Sequence, residues 1–368
     1  MKIAMIGQKG IPSRAGGIEI HVEEISKRLI QHGLKVVVYC RKAYCNSFDK
    51  EYNGISIKYT PYIKSKYLDA ITHALFSTIH ALFTGCNVFH YHALGPSVIA
   101  FLPKILGKKV VCTVHGLDWQ RGKWNRFASN FLKFGEYITA KHTNATINVS
   151  KNLVSYYKEK YGRLTYYIPN GIEEPVNMPP PDIIKKKYNL SRNEYLLFLA
   201  RLVPEKGAHY LIDAFKGIQT DMKLVIAGGS SHSSKYEKEL HDMVRDDDRI
   251  VFTGFVEGNE LSELYSNAYI YILPSDIEGL PISLLEAMSY GNCCLVSDIP
   301  ENTDVVENMG FTFKKADITD LREKINRLLS MNEQIEKIKQ NVQSFVLSKY
   351  NWDDSAINTF EVYKGIVP

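Results

Sequence analysis

Residues 275–288 read SDIEGLPISLLEAM, inside the run AYIYILPSDIEGLPISLLEAMSYGNCCLVSD, and their punctuation is that of a strand delivering the chain into a helix. Residues 269–273 are apolar and rich in aromatic and branched side chains, as a buried strand is. Pro274, Ser275 and Asp276 end that strand, and Gly279 with Pro281 mark a tight turn. Pro281 is expected at the first helical position, where a missing N–H costs nothing. Leu284, Leu285, Ala287 and Met288 supply an apolar helix face. A helix that starts at the carboxyl end of a strand offers unpaired N–H groups and the positive end of its dipole, so it favours an anion. Gly279, Leu280 and Ile282 line that start.

Two carboxylates flank the expected anion site. Glu278 lies on the turn and Glu286 eight positions on, about two turns into the helix. A carboxylate repels phosphate but accepts strong hydrogen bonds from sugar hydroxyls. One at each end of a pyrophosphate suits a nucleotide-sugar, with Glu286 on the ribose and Glu278 near the transferred sugar. The bland alternative makes Glu278 a turn cap and Glu286 an ordinary exposed helix residue.

A chain of 368 residues exceeds what one hydrophobic core usually serves, so two domains are expected. With 45% apolar and 23% charged residues, its composition is that of a globular protein. No stretch approaches the ~18 apolar residues of a membrane span. The nearest, 69–86, carries His73 and His80 and is expected as a buried helix. Met1 leads directly into a strand, KIAMIG, so no signal peptide is expected. Cysteines 40, 45, 86, 112, 293 and 294 lack metal-type spacing and are expected as reduced core residues of a cytoplasmic protein. Residues 1–170 hold 24 Lys and Arg against 9 Asp and Glu, whereas 171–368 hold 21 against 31. An asymmetry that large implies an anionic partner for the first half.

Working outward, the chain begins strand, glycine-rich loop (GQKGIPSRAGG, 7–17), amphipathic helix 19–32 and strand 35–40. This is nucleotide-fold grammar without the G-x-G-x-x-G fingerprint. Gly16 and Gly17 allow close approach of backbone to a ligand at the helix start. Helix and strand are then expected to alternate over 69–83, 88–92, 97–106, 109–115, 124–142, 146–150 and 165–168. Pro169-Asn170-Gly171 is a turn, 177–181 (NMPPP) a linker, and the alternation restarts at strand 195–200. The fold class expected is α/β, two doubly wound Rossmann-like domains (1–170 and 171–368) facing across a cleft. The last helix, about 352–364, is a candidate to return to the first domain.

Arg201 and Lys206 follow the first strand of the second domain, where a switch-point ligand sits. A guanidinium fork plus an ammonium can neutralise a departing diphosphate, work that other folds give to a metal. No Asp-x-Asp pair competes for that task. Ion pairing with Glu205 is the alternative. His115 ends strand 109–114 and admits three readings: core histidine, general base, or a group positioning a sugar. His90 and His92 are expected on opposite faces of their strand, with His92 toward the cleft. Asp118 is placed to orient His115 or to meet an acceptor. Trp124, Phe127, Phe131 and Phe134 recur at helical spacing among Lys123, Arg126 and Lys133, and the aromatics are expected to face the core.

In sum of its motifs the chain resembles the retaining GT-B glycosyltransferases of family 4. The carrying residues are Gly16-Gly17-Ile-Glu19, KKVVCTVHGLDWQRGKW (108–124), Pro169-Asn170-Gly171, LARLVPEKG (199–207) and the E-x7-E pair Glu278 and Glu286. GQKGIPSRAGGIE and VHGLDWQRGKW are most similar to bacterial surface-polysaccharide enzymes that include rhamnosyltransferases. The resemblance implies His115, Glu278, Arg201 and Lys206 as catalytic residues. It implies donor contacts from Gly16, Gly17, Gly279, Leu280, Ile282 and Glu286, with His92 and Asp118 on the acceptor side. It also implies a UDP- or dTDP-sugar donor, a lipid-linked or growing glycan acceptor, and no metal or other cofactor. The basic first half, with Tyr62, Lys64, Lys66 and Tyr67, suits docking on the anionic inner face of a cell membrane. Nucleic acid is not expected, since no recognition helix or RNA-binding signature is present. A non-catalytic sugar-nucleotide-binding scaffold and a sugar-nucleotide epimerase are the alternative functions.

Overall fold

The computed structural model describes residues 1–12, 16–45, 48–65, 68–122, 124–229, 234–245 and 247–367. The chain divides into two compact units, 1–171 with 351–368, and 172–350.

In the first unit the chain runs β1 (Lys2–Ile6), α1 (Gly17–Gln31), β2 (Lys35–Cys40), β3 (Glu51–Tyr52), β4 (Ile55–Tyr59), α2 (Asp69–Phe83) and β5 (Val88–His92). It continues through α3 (Leu94–Ser97), α4 (Phe101–Ile105), β6 (Lys109–Val114), α5 (Arg126–Lys141), β7 (Ala145–Asn148), α6 (Lys151–Tyr161) and β8 (Tyr166–Tyr167). The sheet order is β3-β4-β2-β1-β5-β6-β7-β8, parallel except for β3. Central strands such as β1 (KIAMI) and β6 (KVVCTV) are nearly continuous apolar runs, because helices cover both faces of a parallel sheet. The chain leaves β1 for β2 on one side and later returns to β5 on the other, so a topological switch point lies between β1 and β5.

The second unit runs α7 (Asp182–Tyr188), β9 (Tyr195–Leu199), α8 (Ala208–Lys216), β10 (Lys223–Ala227), α9 (Ser234–Met243), β11 (Ile250–Gly254) and α10 (Gly258–Asn267). Then follow β12 (Ile270–Leu273), α11 (Ile282–Ser289), β13 (Cys294–Ser297), α12 (Pro300–Val306), β14 (Gly310–Phe313), α13 (Ile318–Leu328) and α14 (Asn332–Lys349). Its sheet, β11-β10-β9-β12-β13-β14, is wholly parallel, with the switch point between β9 and β12. Phe198, Ile212, Phe215, Ile226 and Leu295 centre its core.

The closing helix α15 (Trp352–Ile366) belongs to the first unit. Trp352, Ala356, Val362 and Tyr363 enter that unit's core, and Arg28 of α1 pairs with Asp353. Ser355 Oγ donates to Pro169 O at 2.7 Å, and a Cβ on Gly171 would lie 2.2 Å from Trp352 N. The second unit therefore ends at Tyr350, and the last helix joins the first unit, the return for which it was a candidate.

Two expectations about apolar surface are corrected. The stripe of α5 does not face the core: Phe127 is 82% exposed and Phe134 is exposed, while Ala128, Leu132, Gly135 and Ile138 pack inward. Likewise α2 is buried on one side only, since Phe76 and Ile79 are exposed and Phe83 is 86% exposed. Lys66, Tyr67 and Lys123 lie outside the described residues. All six cysteines are free thiols, and only Cys45 is not fully buried. Among the described residues no helix is long and apolar enough to cross a membrane.

Candidate functional site

In the second unit the residues singled out from sequence converge on the carboxyl ends of β9 and β12, at the switch point. Lys206 Nζ meets Glu278 Oε1 at 2.5 Å, with 13% and 6% of the two side chains exposed. The two loops also meet through backbone, with the N–H of Asp276 donating to the carbonyl of Glu205 at 2.9 Å. The loop after β9 thus clasps the loop after β12. Gly207 is the hinge of that clasp: it holds φ +71, and a Cβ there would lie 2.0 Å from Pro274 O. Tyr210 OH donates to Asp276 Oδ2 at 3.2 Å, closing the same contact from the first turn of α8. Arg201 is exposed just after β9.

The helix behind Glu278 starts one residue later than expected. Pro281 is the cap and Ile282 the first residue of α11, so Glu286 lies little more than one turn in. Leu284 and Leu285 N–H both turn back to Pro281 O, so the ladder begins with them, and the N–H groups of Ile282 and Ser283 precede it. Glu286 is half-buried, and Tyr265 OH donates to its Oε2 at 3.1 Å. Tyr265 stacks on Tyr290 with ring centroids 5.3 Å apart. Burial first, and the Glu286 charge next, push the Tyr265 hydroxyl pKa up, so it remains a donor. Sequence reasoning missed Tyr265, which in SELYSN is indistinguishable from a core aromatic.

In the first unit a group of histidines gathers at the carboxyl edge of β5 and β6. His92 Nδ1 and His115 Nε2 are 3.3 Å apart. His90 and His92 share a face, with ring centroids 4.3 Å apart. The expectation of opposite faces fails because residues two apart on a strand point the same way. His90 is held at both nitrogens, by Tyr363 OH at 2.6 Å and Thr113 Oγ1 at 2.7 Å. His21, from α1, completes the group: its Nδ1 is 2.9 Å from Asn170 Oδ1, and its ring centroid is 4.7 Å from that of His115. His21 was missed in sequence. No signal in the sequence marked it: Glu19, His21, Glu23 and Glu24 read as polar positions of an amphipathic helix, and only the fold buries them.

Burial lowers the pKa of all four histidines, that of His21 to about 4. Neighbouring imidazoles lower His90, His92 and His115 further, so the group is neutral at pH 7. Directly after His92, Ala93 adopts φ +69 and ψ 161, a conformation that side chains with a Cβ rarely hold. Asp118 is not on His115; it pairs with Arg121 at 3.0 Å. The adjoining Trp119 donates from its indole to buried Glu136 at 2.6 Å, which pins the segment after His115 to α5.

Gly16 caps α1 and Gly17 is its first residue. Glu19 folds back over them: Lys9 N–H donates to Glu19 Oε1 at 2.8 Å, and a Cβ on Gly16 would lie 2.3 Å from Glu19 Oε2. The glycine makes room for a carboxylate of its own helix. Residues 13–15 of that loop lie outside the described residues.

Two Rossmann-like α/β units with parallel sheets are the architecture of the GT-B glycosyltransferases, and solved structures similar to this chain over nearly its whole length belong to that class. Residues 15–174 match the Glycosyltransferase Family 4 domain, and residues 181–345 match the Glycosyl transferases group 1 domain. The chain is a glycosyltransferase of this type, built of those two domains. It is 27% identical to the uncharacterized glycosyltransferase MJ1607 of Methanocaldococcus jannaschii, over 99% of this chain and 98% of that one. It is also 27% identical to the UDP-Gal:alpha-D-GlcNAc-diphosphoundecaprenol alpha-1,3-galactosyltransferase of Escherichia coli, over 70% of this chain and 66% of that one. Alr3699/HepE of Anabaena, solved in complex with UDP and glucose, superimposes with a TM-score of 0.83 at 18% identity, covering 99% and 100% of the two chains.

Proposed function

We propose that this chain is a retaining glycosyltransferase that needs no metal and moves a sugar from a UDP- or dTDP-sugar to a hydroxyl of a lipid-linked or growing surface glycan. The observation that carries the reading is the buried Lys206–Glu278 pair beside the start of α11. There a cation, a carboxylate and helix N–H groups stand together at a switch point. Lys206 and Arg201 take the diphosphate, whose charge grows as the sugar leaves, so their stabilisation is largest in the transition state. The N–H groups at the helix start add fixed partial positive charge. Glu286 accepts from a ribose hydroxyl, with Tyr265 holding its other side. Glu278 accepts from the transferred sugar and keeps Lys206 aimed before donor arrives.

His115 in this reading positions the sugar as a neutral imidazole, with His92 fixing its ring. Asp118 and Arg121 serve the acceptor side. The relative from Escherichia coli acts on a diphosphoundecaprenol-linked sugar, which supports a lipid-linked acceptor here. The GQKGIPSRAGGIE and VHGLDWQRGKW segments resemble those of bacterial surface-polysaccharide enzymes that include rhamnosyltransferases, which supports a surface-polysaccharide product.

The first unit is proposed to rest on an anionic inner membrane surface. Exposed Phe83, Ile105, Leu106 and Phe127 come from helices that pack around the 94–105 segment, among Lys104, Lys108, Arg126 and Lys133. Apolar tips with basic neighbours suit an anionic interface. The transferase reading is tested by offering UDP- and dTDP-sugars with a polyprenyl-diphosphate-linked sugar acceptor and reading the anomeric configuration of the product by NMR. Retention is expected; inversion, or no product from any donor, overturns it.

A further inference from the structure

The histidine group of the first unit has a property that sugar positioning does not require. The ligand-capable nitrogens of His21, His92 and His115 all lie within 4.8 Å of one another. Zinc–imidazole bonds of about 2.0–2.1 Å set tetrahedral nitrogens about 3.3 Å apart, and His92 Nδ1 and His115 Nε2 are already at 3.3 Å. The third nitrogen, within 4.8 Å of both, would have to close by at most about 1.5 Å to reach that spacing.

The surroundings are those of a ligand set. An amide oxygen can only accept, so Asn170 Oδ1 fixes the proton of His21 on Nδ1 and leaves its Nε2 lone pair for the group. His92 Nε2 is buried without a hydrogen-bond partner. With neutral rings the Nδ1 of His92 and the Nε2 of His115 share one proton, so the Nε2 of His92 stays unsatisfied whichever ring carries it. A cation would replace that shared proton. His90, saturated by Tyr363 and Thr113, is a wall rather than a ligand. Among the described residues no carboxylate joins the three, which favours an imidazole-seeking ion over Mg²⁺ or Ca²⁺. His115 is the half-buried member and marks the side from which an ion enters.

We propose that His21, His92 and His115 form a three-imidazole site for a divalent transition ion of the Zn²⁺ class, with Asn170 orienting His21. A fourth, open position is left for water or another ligand. Neutral imidazoles bind such an ion at pH 7 without first losing a proton, and binding weakens when acid protonates them. Because the ion takes the lone pair of His115, occupancy inhibits the enzyme if His115 serves the sugar. That last consequence rests on the proposed function; binding itself does not.

The test uses the full chain with any affinity tag removed. Zn²⁺ and Mg²⁺ are titrated by calorimetry, and Co²⁺ is followed by its visible spectrum. One Zn²⁺ per chain, no Mg²⁺ and the intense bands of tetrahedral Co²⁺ are expected. His21→Asn and His92→Asn should abolish the cobalt bands. Asn170→Ala, which leaves all three imidazoles in place, should weaken Zn²⁺ binding about ten- to a hundredfold. Circular dichroism on each variant separates a lost ligand from a lost fold, and the wild-type cobalt spectrum needs no variant. Absence of binding to the wild type, a weak octahedral cobalt spectrum, or stoichiometric Zn²⁺ binding indifferent to folded His21→Asn would each overturn the proposal. A chain that binds Zn²⁺ but transfers no sugar would keep the metal site and sink only the enzyme reading.

Discussion

Lys206 Nζ and Glu278 Oε1 are in direct contact, although 72 residues separate them, and the contact ties the loop after β9 to the loop after β12. Both side chains are mostly withdrawn from water. A pair in that setting is costly to break from one side, because the survivor is left as an uncompensated charge. An arriving diphosphate would therefore compete with Glu278 for Lys206. In the proposed function the pair is a placeholder for the anion.

Glu278→Gln separates placeholder from catalyst. The neutral side chain no longer competes for Lys206, so nucleoside diphosphate should bind more tightly in calorimetry. Sugar transfer should fall about a hundredfold, the scale of losing one electrostatic group at the reacting centre. Product affinity that drops in parallel with turnover would show that Glu278 only supports the fold.

Glu286→Ala should weaken donor binding more than it slows turnover at saturation, since a ribose contact is made equally in ground and transition states. The loss should be about 1.5–3 kcal/mol for a charge-assisted bond. Calorimetry with donor and with free nucleoside diphosphate reads it directly. Unchanged affinity removes Glu286 from the site.

The buried histidines make stability pH-dependent with a definite sign. His21 and His73 have pKa values lowered to about 4, and His90, His92 and His115 are also lowered, in each case mainly by burial. Below pH ~6.5 the unfolded chain takes up protons that the folded chain refuses, so stability falls as pH falls toward 4. Above that pH both states are neutral and the effect vanishes. Thermal melts between pH 8 and pH 4.5 should show a plateau, then a decline starting near 6.5. A melting temperature that holds or rises through that window contradicts the neutral cluster.

Vesicle sedimentation tests the membrane face. The first unit holds 25 Lys and Arg against 12 Asp and Glu, so phosphatidylglycerol vesicles should carry the protein down and phosphatidylcholine vesicles should not. Attraction should fade as the screening length shortens, from about 10 Å at 0.1 M salt toward 3 Å at 1 M. Phe83→Ser with Phe127→Ser should reduce binding in low salt. Equal binding to both lipids, or none, would leave the exposed aromatics unexplained by a membrane.

Much of this architecture was legible because parallel strands carry dense apolar runs. Val88–His92 and Asp69–Phe83 have the bounds that periodicity predicts, and the E-x7-E turn lies where the switch point puts it. What escaped were elements whose pattern is diluted. The long helix α14 buries only Ile335, Val342 and Val346 fully, too few to mark a face. The expected helix over 97–106 is broken into α3, a 3₁₀ turn and α4, in a segment that carries Pro96 and Pro103. At the site, Lys206 was legible as a cation but its partner was not, because local sequence offers Glu205 and only the fold brings Glu278. The stripe of α5 misled because an aromatic periodicity marks a face without saying what covers it.

The most direct test is release of nucleoside diphosphate, measured in EDTA with and without a lipid-linked acceptor, in the wild type and in Arg201→Ala and Lys206→Ala. The account predicts acceptor-dependent release by the wild type that EDTA does not reduce, and a loss of about a hundredfold or more in each variant. Release that EDTA abolishes and Mg²⁺ or Mn²⁺ restores, or that survives both substitutions, would contradict it.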